Sequence, residues 1–277
     1  MRTPRMLFLC YIHRGLASST KEDPMVQDTK RPPRWRRVGR VSYALFFAYT
    51  VGIILRFYFR RYEATGKFHV EGYERYTAAL HRGKVIIVTN HPGVPESLFL
   101  AAMWYREPFS SAPELWPYSF PDPVSFLPKY LWWCTYLLRA VPVHRAEEKK
   151  KVHAVTVAKR LLLQGEVLVL HPEGGRTTKG THFLSLGGRR LRLPLSEGVS
   201  FLAGLPEVEI LPVWVEFNGE PLHAVESYRS LIARGLTISV GESFCVDVTQ
   251  KGKKYRTERM ERIAKSILTV GRCPEYP

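Results

Sequence analysis

Lys84-Val85-Ile86-Ile87-Val88-Thr89-Asn90-His91-Pro92-Gly93-Val94-Pro95-Glu96 is the stretch on which the fold turns. It opens with a short apolar run rich in β-branched residues, the pattern of a buried strand. Ser97-Leu98-Phe99-Leu100-Ala101-Ala102-Met103-Trp104 then reads as a helix, and Pro95 suits its first position, where a missing N–H costs nothing. His91 therefore falls in the strand-to-helix turn and Glu96 in the first helical turn. On one regular helix these two side chains would diverge; with His91 in the turn before it, imidazole and carboxylate can meet. A carboxylate on one ring nitrogen fixes the tautomer and leaves the other nitrogen to take a proton. No Ser or Cys nucleophile is implied by the spacing, so a catalytic pair here would deprotonate a substrate hydroxyl. A surface histidine followed by a helix-start glutamate fits the same residues.

Outward from this turn the chain alternates strands and helices. Phe68–Gly72 reads as a strand and Tyr73–His81 as a short helix. Residues 106–128 are crowded with prolines, which predicts a loop beside the turn. Tyr130–Leu138 is apolar and aromatic, suited either to the core or to a lipid-facing surface. Ala140–Val143 reads as a short strand ending in His144-Arg145. Val152, Val155, Ala158, Leu161 and Leu162 recur at helical spacing between Glu147 and Gln164, and Gly165 stops that helix. Glu166–Leu170 is a continuous apolar strand, as in a sheet covered on both faces. It runs directly into His171-Pro172-Glu173-Gly174-Gly175-Arg176-Thr177-Thr178-Lys179-Gly180, at a strand end where open α/β sheets bind ligands.

Gly187–Arg192 reads as a basic turn, 195–205 as a helix and Val208–Glu216 as a strand that Pro212 bends or ends. Leu236–Val240 is a further strand and Tyr255–Val270 a closing helix. The fold class expected is α/β: a mostly parallel central sheet flanked by helices. No internal repeat is visible, and no domain linker comes after residue 65.

At 277 residues the chain is long enough for one large α/β domain with an appendage. A net charge of +16 implies an anionic partner: nucleic acid, acidic lipid headgroups or a phosphorylated substrate. Residues 1–40 hold ten Lys/Arg against three Asp/Glu and read as a basic, disordered tail, with a weak likeness to a transit peptide over 1–20. The dense basic cluster 30–40 would suit nucleic acid, but the apolar run beside it favours lipid headgroups. That run, Val41–Leu55, has fifteen uncharged residues and is closed by Arg56-Phe57-Tyr58-Phe59-Arg60-Arg61. As a helix it covers about 22 Å, short of a hydrocarbon core of about 30 Å. A helix embedded in one leaflet is favoured over a full span with Arg56 snorkelling. The division expected is thus 1–40 tail, 41–64 membrane-associated helix and 65–277 globular domain, facing the cytosol. Cys10, Cys134, Cys245 and Cys273 fit no metal or redox spacing and read as reduced thiols.

Three groups could hold an anion: Arg145 at a strand end, Glu173 with Arg176 in the glycine-rich turn, and Lys179 behind it. Arginine binds phosphate oxygens in pairs, and glycines let backbone N–H groups approach. The P-loop, the G-x-S-x-G elbow and the H-E-x-x-H zinc helix are all absent.

Four blocks in order resemble the glycerolipid acyltransferases, the group containing 1-acylglycerol-3-phosphate acyltransferase. Asn90-His91 with Glu96 is similar to their N-H-x-x-x-x-D, and Val141-Pro142-Val143-His144-Arg145 to their second block, a strand ending in Arg. His171-Pro172-Glu173-Gly174-Gly175-Arg176-Thr177 resembles F-P-E-G-T-R-S, and Ile210-Leu211-Pro212-Val213 their proline-containing fourth strand. The resemblance spans residues 65–245. It implies that His91 is a general base for a glycerol-type hydroxyl and that Glu96 orients it. It implies direct attack on the thioester of acyl-CoA or acyl-carrier protein as co-substrate, with no metal and no cofactor. Asn90, Arg145, Glu173, Gly174 and Arg176 would hold the acceptor, with Lys129 as an extra phosphate contact. The implied partners are membrane lipids and the acyl donor, not nucleic acid. Glu96 stands where the family has Asp, His171 where it has Phe, Gly175 for Thr and Thr177 for Ser. The longer Glu96 side chain leaves room for a second reading, a non-catalytic lipid-binding relative; a basic nucleic-acid-binding protein is a third.

Overall fold

The computed structural model describes residues 57, 59–93, 100, 103, 117–122, 139–143, 147–219, 233–249 and 252–271, all within the unit Ser42–Pro277. Glu96, Lys129, Arg145, the tail 1–40 and the apolar stretch 41–55 lie outside the described residues.

Nine strands and four α-helices are described. They are β1 (Phe68–Glu71), α1 (Tyr73–Arg82), β2 (Val85–Thr89), β3 (Tyr118–Ser119), α2 (Glu148–Leu163), β4 (Leu168–Leu170), β5 (His182–Leu186), β6 (Arg189–Leu193), α3 (Glu197–Ala203), β7 (Glu209–Phe217), β8 (Leu236–Val240), β9 (Phe244–Cys245) and α4 (Lys253–Thr269). Seven strands form one sheet in the order β1-β8-β7-β2-β4-β3, with β9 beside β7. The β1–β8, β7–β2, β2–β4 and β4–β3 pairs are parallel, and β7–β8 and β7–β9 antiparallel. This is the mostly parallel, helix-flanked sheet the sequence predicts.

All five residues of β2 are buried, because the sheet is covered on both faces. Val85 and Ile87 point into a cluster with Tyr76, Ala79 and Leu80 of α1, Leu100, Met103 and Leu211, Val213 and Val215 of β7. Ile86 and Val88 point the other way, to Ala158 and Leu162 of α2, Val199 and Leu202 of α3, and Ile263, Ala264 and Ile267 of α4. Alternating strand residues thus serve two cores at once. Phe59 packs against Phe68 with ring centroids 5.5 Å apart and belongs to the first of these cores.

Three local expectations are corrected. Pro212 does not end its strand: β7 runs through it unbroken. On one edge Pro212 pairs with Val88 of β2. On the other, β7 changes partner there, from β9 at Ile210 to β8 at Val213, and the Pro212 carbonyl accepts the Gly241 N–H at 2.9 Å. A missing donor is tolerated where the ladder is already interrupted. Val152 is 60 % exposed rather than part of the apolar stripe of α2, which is formed by Ala154, Val155, Ala158, Leu161 and Leu162. The basic stretch 187–192 is not only a turn but half of an antiparallel hairpin, β5–β6, reversed at Gly187-Gly188 with φ of 54° and 78°. Two successive positive φ values make this the tight turn that glycine favours. The short strand expected at Ala140–Val143 survives as one bridge from Ala140 to Ser119 plus the Val141 and Val143 N–H groups donating to Ser119 and Pro121 carbonyls.

Tyr76 ties α1 to the segment after the His91 turn. It is fully buried, and its hydroxyl donates to the Leu100 carbonyl at 3.1 Å. Burial raises its pKa far above the ordinary tyrosine value, so it remains a protonated donor. Tyr76→Phe should lower stability by about 1–2 kcal/mol, because a buried carbonyl loses its partner. Denaturant titration should show an earlier midpoint at unchanged slope.

Candidate active site

The site lies where β2 and β4 end side by side. Their parallel register pairs Ile86 with Leu168 and Val88 with Leu170. Continued past the strand ends, that register sets His91 level with Glu173. There the ladder stops, but the carboxylate of Glu173 takes its place. Glu173 Oε1 accepts the His91 backbone N–H at 2.7 Å and the Thr177 hydroxyl at 2.8 Å. Glu173 Oε2 accepts the Arg192 backbone N–H at 2.7 Å. The His91 carbonyl in turn accepts the Thr177 backbone N–H at 2.8 Å. Both backbone polar groups of His91 are therefore held by one turn.

The opposite edge is held by Asn90. Its amide Nδ2 donates to the Val215 carbonyl at 2.7 Å, and its Oδ1 accepts the Val215 N–H at 2.8 Å. A side-chain amide carries both donor and acceptor, so it continues the β2–β7 ladder one residue beyond the strand. The backbone that carries His91 is thus fastened on both sides by buried groups: Asn90 is 2 % and Glu173 3 % exposed. The imidazole itself is half-buried. Its ring stacks on that of His171, with centroids 4.4 Å apart and 24° between planes. His171 Nδ1 lies 3.3 Å from the Asn90 carbonyl oxygen.

Desolvation by burial raises the Glu173 carboxyl above its usual value. The bonds from the Arg192 and His91 N–H groups and the Thr177 hydroxyl, with the charge of Arg192, oppose that rise. A buried carboxylate is tolerable only when its lone pairs are filled in this way.

Asn90, His91, Glu173, Gly174 and Arg176 are thus gathered at one end of the sheet. Three of them have polar groups engaged within the protein. The Asn90 amide and both Glu173 oxygens are engaged by the protein itself, and the Gly174 N–H donates to the His171 carbonyl at 3.1 Å. Gly174 has φ of +60°, which a glycine adopts without strain. Arg176 lies between Glu173 and Thr177 with its side chain half-buried. Thr177, Arg192 and His171 complete the site and were not among the expected contacts. The signal for Arg192 was available: Leu184, Leu186, Leu191 and Leu193 flank a Gly-Gly pair, a hairpin pattern that returns the chain to its start. Among the described residues no group of His, Cys, Asp and Glu could hold a metal ion.

Fold and site together define an α/β protein with a histidine fixed at the ends of parallel strands. The family model described as Acyltransferase matches residues 67–216, and the chain belongs to that family. Acyl transfer is therefore its reaction class. Among solved structures the chain is similar to the 1-acyl-sn-glycerophosphate (LPA) acyltransferase PlsC from Thermotoga maritima, at 17 % identity over 82 % of this chain and 86 % of that one, with a TM-score of 0.49. No curated protein matches the sequence.

Glu173→Gln should separate a backbone clamp from a substrate contact. An amide would set an N–H donor against one of the donors now bound, and the expected loss is about 1–3 kcal/mol of stability. The acyl-transfer rate should fall with it while the acceptor KM changes little. Unchanged stability with a raised acceptor KM would instead mark a direct contact.

Proposed function

We propose that the protein is an O-acyltransferase of phospholipid biosynthesis that acylates a lysophospholipid of the 1-acylglycerol-3-phosphate type. In this reading His91 is the general base. The acceptor hydroxyl gives its proton to the imidazole as its oxygen attacks the carbonyl carbon of an acyl thioester. The new ester C–O bond forms, the C–S bond breaks, and the departing thiolate takes the proton back from the imidazolium. The donor is acyl-CoA or an acyl-carrier protein, used as co-substrate, and no resident cofactor or metal enters the scheme. Glu96 orients His91 and stabilises the imidazolium. Arg145 and Arg176 bind the anionic headgroup as planar, charge-assisted donors. Asn90 and Glu173 act one step back, on the backbone of the base.

The observation that carries this reading is the fixation of His91. Its backbone is fastened from β7 by Asn90 and from the glycine-rich turn by Glu173 and Thr177, while its ring stays only half-buried. A general base gains from such rigidity because misplacement of the reacting atoms is costly. The order of the four sequence blocks and the family match over 67–216 support the same reaction.

Membrane association belongs to the proposal as well. The apolar stretch 41–55 between basic clusters anchors the protein at a lipid surface, either within one leaflet or as a single span, with the domain on the cytosolic side. Among the described residues no helix is long and apolar enough to cross a membrane.

The test is a panel of lysolipid acceptors offered to purified full-length protein with labelled acyl-CoA or acyl-carrier protein. Labelled phospholipid should appear with a phosphate-bearing lysolipid. His91→Ala should lower the rate by about 10²–10⁴-fold, the usual worth of a general base, and leave vesicle binding intact. Turnover that survives this substitution would remove the base assignment. Vesicle binding without any turnover by the wild type would favour the non-catalytic relative.

A separate measurement addresses the anchor. Deleting residues 1–55, which leaves the core residue Phe59 in place, should release the protein from anionic vesicles in a flotation assay. Undiminished binding would place the membrane contact in the α/β domain.

A further inference from the structure

His171 stands against the candidate base and has no part in the reaction as written. It comes directly after β4, in the turn that holds Glu173. Its Nδ1 lies 3.3 Å from the Asn90 carbonyl oxygen, which can only accept. With hydrogen on Nδ1 this contact is a hydrogen bond that aims the ring. That ring stacks on His91 with centroids 4.4 Å apart at an interplanar angle of 24°. At this separation a positive charge on one imidazole opposes a positive charge on the other.

We propose that His171 is a positioning residue for His91, an imidazole that restrains the rotation of the base by stacking and keeps it unprotonated to lower pH than the same site without a second imidazole. The proposal rests on the reading of His91 as the base, and extends it to what sets the working pH of the site. The other charged groups on the described elements packed here are Glu173, Arg176 and Lys179 of the same turn, Arg189, Arg190 and Arg192 of β6, and Glu209 and Glu216 of β7; Glu96, outside the described residues, is the carboxylate that the family resemblance sets beside His91. The carboxylate of Glu173 bonds to three donors, so its charge is shared with the backbone and Thr177. Arg176 and Arg192 are positive at any working pH and press in the same direction as a protonated His171. A carboxylate at position 96 would favour protonation of His91 whether or not residue 171 carries charge. It therefore leaves the sign of the His171 effect unchanged.

Two substitutions separate stacking from charge. His171→Phe keeps a flat ring against His91 but cannot take a proton. His171→Gln keeps a donor for the Asn90 carbonyl but removes both ring and charge. The readouts are the acid limb of kcat/KM and the titration of the His91 ring by NMR in ¹³C-histidine-labelled protein, assigned by loss of its signal in His91→Ala. Both variants should move the His91 midpoint and the acid limb upward by about half a pH unit or more. At the alkaline plateau kcat should fall further for Gln than for Phe, by about tenfold, with acceptor KM little changed, because only Gln loses the stack. An unchanged His91 midpoint in the two variants overturns the proposal. The NMR midpoint is independent of turnover, so a failure of the base assignment, seen as activity retained by His91→Ala, remains distinct from a failure of the coupling. Should one variant not fold, the midpoint in the other decides.

Discussion

A single buried carboxylate holds the functional end of this molecule together. Parallel strands that end side by side leave backbone donors and acceptors without partners, and a ligand-binding rim made of such ends would be loose. Glu173 answers this by standing in for the missing ladder. One side chain joins the turn after β2, the turn after β4 and the returning strand of the β5–β6 hairpin. The cost is the burial of a carboxylate, visible in the upward shift of its pKa. That cost is offset by donors already fixed in place by the fold.

The same logic operates on the other edge of β2 with a neutral group. The Asn90 amide pairs with both backbone groups of Val215 and extends the β2–β7 pairing without placing a charge in the core. His91 is the residue between these two devices. Its backbone has no freedom left, whereas its ring faces the neighbouring imidazole of His171. The two clamps also explain why the polar residues of the motifs need not all touch substrate. Part of what looks like a binding signature is scaffolding for the His91 backbone.

β7 carries much of this arrangement. It is the longest of the described strands and bonds to β2, β8 and β9. Its odd-numbered residues Leu211, Val213 and Val215 fill one core, and Ile210 and Trp214 fill the other. Pro212 sits at the one point where the strand changes partner, so the residue that ought to break it is accommodated without loss of a ladder bond.

The sequence alone determined the alternation of strands and helices, because burial on both faces forces continuous apolar runs such as Val85–Val88 and Leu168–Leu170, and an amphipathic helix forces the spacing of Val155, Ala158 and Leu162. It also determined that His91 and Glu173 fall at strand ends, since each comes just after such a run. It did not determine which of the polar residues face inward. Asn90 and Glu173 have the chemistry of substrate ligands, and their duty as backbone clamps depends on the register between β2, β4 and β7. That register is set by packing between segments far apart in the chain, and local pattern carries no record of it. The pairing of His91 with His171 was decided in the same way: neither residue signals the other in sequence, and only parallel strands ending level bring the two rings face to face.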